Sequence, residues 1–201
     1  SEIIMNQKVA ATIGLFVFFF FVISVYFLTA SQPQGDLPQL ETPADVVEVE
    51  FTLPDVDGVV RQSSEWHGKA RLINFWATWC APCRREIPLL KKTQEEHAGS
   101  NVQIIGIAVD FPEEVAAYAE EAQFNYPVLV GQEDAMAIAE TSGIDFIGMP
   151  FTMIVAPSGE LIKAHIGEIL ESHIEQILRV FEDLENGRVN LAGAREALGA
   201  L

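Results

Sequence analysis

The sequence predicts an α/β domain, with a central mixed sheet flanked by helices, preceded by one transmembrane helix. The run Val102–Val109 is almost entirely apolar, which is typical of a strand covered on both faces. Helical patterns alternate with such runs, and a late pair of apolar runs, joined by Pro157-Ser158-Gly159, predicts a hairpin. The uncharged run Val9–Leu28 indicates the transmembrane helix.

The N-terminal apolar run is long enough to cross a membrane as a helix. At about 1.5 Å per residue, its length matches a hydrocarbon core of about 30 Å. Lys8 precedes the run and Asp36 follows it, which favours a cytoplasmic segment (1–8), an uncleaved anchor (9–29) and an external remainder. The alternative is a cleavable signal peptide, for which Thr29-Ala30-Ser31 is a weak match.

Residues 30–45 contain three prolines and a glycine without apolar periodicity, which predicts a linker. The domain expected over residues 46–186 begins with a hairpin that turns at Asp57-Gly58. Its further predicted elements are, in chain order, a strand at 70–77, a helix at 82–97, a strand at 102–109, a helix at 112–122, a strand at 126–130, a helix at 134–141, a hairpin of 152–156 with 161–166, and a helix at 169–184.

The last stretch, residues 187–201, is expected to be a C-terminal tail. Leu191, Ala194, Leu198 and Leu201 recur at near-helical spacing. We expect a frayed terminal helix there, and the alternative is a helix that binds a partner.

Composition argues against nucleic acid as a partner. The formal net charge of −17 would repel phosphates across most of the surface. The length of 201 residues fits one domain plus an appendage, with enough chain for a single core.

The chain's two cysteines, Cys80 and Cys83, lie where an apolar strand gives way to a helix. The N-terminus of a helix stabilises a Cys80 thiolate, and the following Arg84 and Arg85 can add to this effect, so the pair predicts thiol–disulfide exchange. The alternatives are a purely structural disulfide, which would close too short a loop to stabilise the fold much, and half of a zinc site. Zinc would need two further ligands, and the histidines are scattered singly along the chain, at His67, His97, His165 and His173.

Two separated runs resemble the thioredoxin superfamily. Asn74–Cys83 is similar to its active-site strand, and the continuation Arg84–Pro88 resembles the TlpA/ResA/CcmG branch of membrane-tethered extracytoplasmic reductases. Gly148–Thr152 is similar to the segment that carries a cis-proline beside the cysteine pair. The resemblance covers about residues 46–182 and implies a thioredoxin-like fold with an N-terminal hairpin and a central βα insertion.

The resemblance also implies roles for individual residues. Cys80 is the attacking thiol, Cys83 the resolving thiol, and Pro150 the cis-proline that shapes the groove. Asn74 stands where thioredoxin has a buried aspartate, so the proton of Cys83 is expected to pass to Glu86, which lies on the same helical face. The expected substrate groove consists of Trp79, Ala81, Pro82, Gly148 and Met149.

These residues predict a membrane-anchored thiol:disulfide oxidoreductase that reduces protein disulfides, with no metal and no cofactor besides the Cys80–Cys83 disulfide. Ala81-Pro82 lacks the histidine of strong oxidants, which favours a reductant that a membrane electron donor re-reduces. The resemblance implies a single-pass protein of the bacterial inner membrane with a periplasmic catalytic domain. Its substrates would include apocytochrome c, in cytochrome c maturation, or copper-site proteins. The alternatives are a copper-site thiol reductase or Cu(I) chaperone, and a thiol peroxidase.

Overall fold

The computed structural model describes residues 23–24, 47–143, 146–199 and 201. The chain divides into two units, Ser1–Thr42 and Pro43–Leu201, and every described residue except Ile23 and Ser24 belongs to the second. Apart from those two residues, the predicted cytoplasmic segment, anchor and linker lie outside the described residues. Among the residues that are described, no helix combines the length and the apolar character needed to cross a membrane.

A five-stranded sheet forms the centre of the domain. The strands are, in chain order, β1 (Thr52–Pro54), β2 (Val60–Gln62), β3 (Ala70–Trp76), β4 (Val102–Val109), β5 (Val128–Gly131), β6 (Phe151–Val155) and β7 (Leu161–Ile166). The sheet order is β5-β4-β3-β6-β7; β3, β4 and β5 are parallel, whereas β6 runs antiparallel to β3 and β7. The predicted mixed sheet is therefore confirmed, and β1 pairs with β2 in the predicted N-terminal hairpin.

The helices cover both faces of this sheet. They are, in chain order, α1 (Ala81–Glu96), α2 (Pro112–Ala122), α3 (Glu133–Glu140), α4 (Glu171–Glu185) and α5 (Leu191–Ala197), with a short 3₁₀ helix at Ser63–Trp66. Because successive strand residues point to opposite faces, Leu72 and Trp76 pack in one buried cluster with α1, α4 and α5. Ile73 and Phe75 pack in a second cluster with the hairpin and α3. Burial on both faces explains the continuous apolar runs of the central strands.

The turn into Cys80, the loop at Asp110 and the segment at Pro150 meet at one edge of the sheet. The parallel strands β3 and β4 both end there, so the turn into Cys80 and the loop at Asp110 share this edge. The antiparallel strand β6 begins there, since Phe151 pairs with Phe75 near the end of β3. Pro150 therefore enters the sheet beside the turn that carries the cysteines.

The C-terminal helix α5 packs on the domain, so the expectation of a frayed terminal helix was wrong. Asn190 caps the helix by accepting a hydrogen bond from the Gly193 amide at 2.9 Å. Ala194 and Leu198 are fully buried in the cluster that contains α1 and α4. The apolar residues whose spacing predicted a helix form its buried stripe, and their burial stabilises the helix against fraying.

Candidate active site

The two cysteines form a disulfide across the first turn of α1, with their Cα atoms 5.3 Å apart. Cys80 is the N-cap of the helix, in an extended conformation, and its Sγ accepts a hydrogen bond from the Cys83 amide at 3.3 Å. Cys80 is 5% exposed and Cys83 is 0% exposed. The structure thus places Cys80 slightly nearer the surface than Cys83, which is fully inside the core.

The surroundings of Cys80 favour negative charge. A residue at the N-cap faces amides that have no partner within the helix, and the helix dipole is positive at this end. The first turn of α1 contains no acidic residue. When the disulfide is reduced, the Cys83 amide can therefore donate to a thiolate on Cys80.

Arg85 contributes less to this site than its position in the sequence suggested. Its guanidinium donates from Nε and Nη2 to the carboxylate of Glu168, with Nη2 2.6 Å from Oε2. Both side chains lie toward solvent, and the pairing directs the charge of Arg85 to Glu168 rather than to Cys80. Arg84 is exposed on the helix surface, and its amide donates to the Cys80 carbonyl.

Glu86 lies one turn beyond Cys83 and is 1% exposed. Each carboxylate oxygen has one donor: Asn74 Nδ2 lies 2.7 Å from Oε1, and the Ile169 amide lies 2.6 Å from Oε2. Burial raises the pKa of Glu86 to about 7, because these two hydrogen bonds offset only part of the loss of hydration. A group with this pKa exchanges protons readily near neutral pH, as proton transfer from a buried thiol requires.

One titratable group, Glu168, shifts the pKa of Glu86, and Glu86 in turn shifts the pKa of Tyr126. Glu168 raises the pKa of Glu86 slightly further by charge repulsion, and Arg85 pairs with Glu168. Tyr126 is buried, and burial, followed by the charge of Glu86, raises the pKa of its hydroxyl far above the usual value. Tyr126 therefore remains a neutral phenol at every pH at which Glu86 titrates.

The predicted groove residues lie in two segments, 79–82 at the start of α1 and 148–149 before Pro150. The Met149–Pro150 peptide bond is cis, as the resemblance implied. Met149 packs against the buried cluster that contains both cysteines. A Cβ atom placed on Gly148 would meet no atom within 4 Å, so the chain on this side is open to a bound segment. Trp79, which precedes Cys80, is 69% exposed.

The sequence did not single out several residues at this edge. Phe111, Ile147 and Leu170 are exposed large apolar side chains on loops next to the site. Trp79 is exposed as well, so four loop or turn segments near this end of the sheet each carry an exposed large apolar side chain. The same loops contain Asp110, Pro150 and Ile169, which lie at the site. No local sequence pattern indicates that these loops come together.

Asp110 fixes the turn that leads to Cys80. Its Oδ2 accepts hydrogen bonds from the Thr78 amide at 2.9 Å and from the Thr78 hydroxyl at 2.6 Å, and its Oδ1 accepts from the Phe111 amide. The carboxylate is largely buried, so these donors replace lost water. An acidic residue directly after the apolar run of β4 was the signal that could have identified it.

Three of the four histidines have side-chain contacts with groups other than the cysteines. His67 contacts Glu50, and the rings of His165 and His173 lie 4.9 Å apart between centroids. Across the described ranges, no group of three or more histidine, cysteine, aspartate and glutamate side chains is placed to hold a metal ion.

Comparisons with known proteins agree with this architecture. A model of the AhpC/TSA family matches residues 47–164, so the chain belongs to that family. It is 30% identical over 118 residues to the thiol-disulfide oxidoreductase ResA of Halalkalibacterium halodurans, covering 58% of this chain and 65% of that protein. It is also 30% identical over 123 residues to the thioredoxin-like protein YneN of Bacillus subtilis, covering 58% of this chain and 68% of that one.

The fold has solved counterparts. The crystal structure of a thiol:disulfide interchange protein of the thioredoxin family from Chlorobium tepidum matches with a TM-score of 0.60 and 29% identity, covering 66% of this chain and 92% of that chain. The resemblance to the thioredoxin superfamily and its ResA-like branch is confirmed. The chain spans slightly less than two thirds of the ResA protein from H. halodurans.

Proposed function

We propose that this protein is a thiol:disulfide oxidoreductase that reduces disulfides of other proteins through Cys80 and Cys83. One arrangement carries the proposal. A Cys80–Cys83 disulfide caps helix α1, and the buried Cys83 is followed one turn later by a buried carboxyl whose pKa lies near 7. This arrangement supplies a nucleophile, a resolving thiol and a proton acceptor.

The reaction consists of two exchanges. The Cys80 thiolate attacks one sulfur of a substrate disulfide, so that a bond forms between the proteins as the substrate bond breaks and its other sulfur leaves as a thiolate. Cys83 then transfers its proton to Glu86 and attacks Cys80 Sγ, which restores the Cys80–Cys83 disulfide and releases the second substrate sulfur. Two electrons pass from the dithiol to the substrate, and the released thiolates take up protons from water.

The exposed apolar side chains on the loops at this end of the sheet suit a polypeptide substrate. An extended segment would contact the exposed indole of Trp79 and the side chains of Phe111 and Ile147. The open backbone at Gly148 and Met149, before the cis-proline, would pair with the main chain of that segment in the manner of an added strand.

The setting we propose is the outer face of a bacterial inner membrane, with residues 9–29 as the anchor. The uncharged run Val9–Leu28 supports an anchor, and the similarity to proteins named ResA supports a reductase. A dithiol in an oxidising compartment requires a source of electrons, and a membrane thiol reductase is the proposed donor. Apocytochrome c and copper-site proteins are the proposed substrates.

Trapping with Cys83→Ser in the native cell tests this function. Without its resolving thiol, the protein should accumulate as mixed disulfides through Cys80, visible as species that dithiothreitol releases. The control is Cys80→Ser, which should trap nothing. Partners with haem-attachment cysteine pairs would assign the protein to cytochrome c maturation, and copper-site partners to copper-site assembly.

Two outcomes would overturn the proposal. An absence of trapped partners, combined with a wild-type pair that stays oxidised in the cell, would exclude a reductase. Rapid consumption of hydrogen peroxide by the reduced protein, or stoichiometric Cu(I) binding without reduction of protein disulfides, would replace it with a peroxidase or a copper chaperone.

A further inference from the structure

The side chain of Asn74 has one feature that the proposed reaction does not explain. Asn74 lies in the middle of β3, is 1% exposed, and faces Glu86. Its Nδ2 donates both of its hydrogen bonds, to Glu86 Oε1 at 2.7 Å and to Thr152 Oγ1 at 3.1 Å. Its Oδ1 is buried and accepts no hydrogen bond. An unpaired buried carbonyl is costly, so this orientation must gain something from the charged carboxylate.

The hydrogen-bonding partners of Glu86 decide which oxygen carries a proton. Oε2 faces the amide of Ile169, a donor that cannot become an acceptor. Oε1 faces Asn74, whose carboxamide has a donor end and an acceptor end of nearly equal size. A proton on Glu86 therefore belongs on Oε1, where it would point at Nδ2 in the present orientation and lose its hydrogen bond.

A half-turn of the Asn74 amide removes this conflict. It brings Oδ1 to the position of Nδ2, where Oδ1 can accept from a protonated Oε1 and from the Thr152 hydroxyl, which rotates to donate. Nδ2 then occupies the position where Oδ1 had no partner. Both orientations contain two hydrogen bonds and one unpaired end, so the turn costs no net hydrogen bond.

We propose that Asn74 is a positioning residue whose amide turns over when Glu86 changes its protonation state, so that Glu86 Oε1 is hydrogen-bonded both as an acceptor and as a donor of the proton. The inference rests on the proposed function of Glu86 as the acceptor of the Cys83 proton. Asn74 performs this task without a charge of its own, whereas an aspartate at this position would add a second titrating carboxyl beside Glu86 Oε1.

In the oxidised protein, the titration of neighbouring groups does not interfere with the protonation equilibrium of Glu86. Cys80 and Cys83 are joined and do not titrate. Tyr126 remains a neutral phenol, and the charge of Glu168 is paired with Arg85. Among the described groups that act on the network, Glu86 is therefore the one expected to titrate near neutral pH.

NMR titration of the oxidised full chain in detergent micelles tests the proposal. The carboxyl ¹³C signal of Glu86 and the Nδ2 signals of Asn74 are followed together from about pH 5 to about pH 9, a window around the raised pKa of the carboxyl. We expect both sets of signals to move with the same midpoint. In Glu86→Gln, the Asn74 signals should be independent of pH in that range.

Matched variants separate a positioning role from a structural one. Asn74→Ala should raise the Glu86 midpoint by about one pH unit, because a charge-assisted donor is lost. Thr152→Val removes a partner from both orientations equally, so it should leave that midpoint nearly unchanged.

Two results would contradict the proposed turn of the Asn74 amide. Asn74 signals that stay fixed while Glu86 titrates in the wild-type protein would overturn the proposal, and so would equal shifts in Asn74→Ala and Thr152→Val. These measurements use the oxidised protein without substrate, so a failure of the reductase assignment in the trapping experiment would leave their outcome untouched.

Discussion

Replacing Glu86 with glutamine is expected to remove a pH-dependent loss of stability. The carboxyl is 1% exposed, and folding raises its pKa from an ordinary value of 4.5 to about 7. A shift of this size corresponds to about 3 kcal/mol of free energy between the protonated and ionised forms. Glutamine has nearly the same shape as protonated glutamate but cannot ionise, so it should avoid this cost.

The sign of the effect follows from the two pKa values. Below pH 4.5 the carboxyl is protonated in the folded and unfolded chains, and its contribution to stability is fully present. Between pH 4.5 and about 7 the unfolded chain loses a proton that the folded chain retains, so the unfolding free energy falls as pH rises. Above about 7 both forms are ionised and the loss is complete.

Urea unfolding of the oxidised proteins measures this difference. Wild type and Glu86→Gln should have similar unfolding free energies near about pH 4, and the variant should be more stable by about 3 kcal/mol near about pH 8. Glu95→Gln, which removes an exposed carboxylate from the same helix, is the control and should follow the wild type. A difference between wild type and Glu86→Gln that stays constant with pH would refute the reasoning.

Three further predictions concern stability and are checked by urea unfolding. Leu198→Ala should lower the unfolding free energy by about 2–5 kcal/mol because Leu198 is fully buried, whereas Glu196→Ala on the exposed side of α5 should change it by less than about 0.5 kcal/mol. Thr78→Val should lower the unfolding free energy by about 2 kcal/mol because it removes the hydroxyl that donates to Asp110. Thr78→Ser keeps a hydroxyl and should retain most of that stability. Arg71→Met should be neutral or stabilising, since Arg71 is fully buried and its Nε and Nη2 are unpaired; a loss above about 2 kcal/mol would contradict this.

The sequence allowed much of the fold to be predicted because the central strands are covered on both faces. Runs such as Val102–Val109 and Ala70–Trp76 contain few polar residues, and turn residues or helix starts bound them clearly. The position of Glu86 on the helical face of Cys83 could also be predicted, because residues three apart on a helix lie on one face. Such relations depend only on the geometry of one helix or strand, so they can be predicted without knowledge of the tertiary contacts.

The contacts that the sequence did not reveal depend on long-range register. Asn74 meets Thr152 across 78 residues because β3 and β6 pair in one particular alignment. Asp110 reaches Thr78 across 32 residues because two parallel strands end at the same edge. Helix α5 showed its apolar stripe in the sequence, but the surface that buries Leu198 is built from α4 and β7, which no local pattern identifies.

One helix gives the two thiols opposite environments. The N-terminus of α1 offers Cys80 free amides and a favourable dipole, which stabilise a thiolate near the surface. One turn later the helix is inside the core, where the buried Cys83 cannot release a proton to water. A carboxyl at Glu86 supplies an acceptor there, but only because burial raises its pKa to about 7, and that same burial costs about 3 kcal/mol above neutral pH. The burial that lets Glu86 accept the Cys83 proton is therefore the same burial that lowers the stability of the fold. Hydrophobic packing on both faces of the sheet must offset this loss of stability.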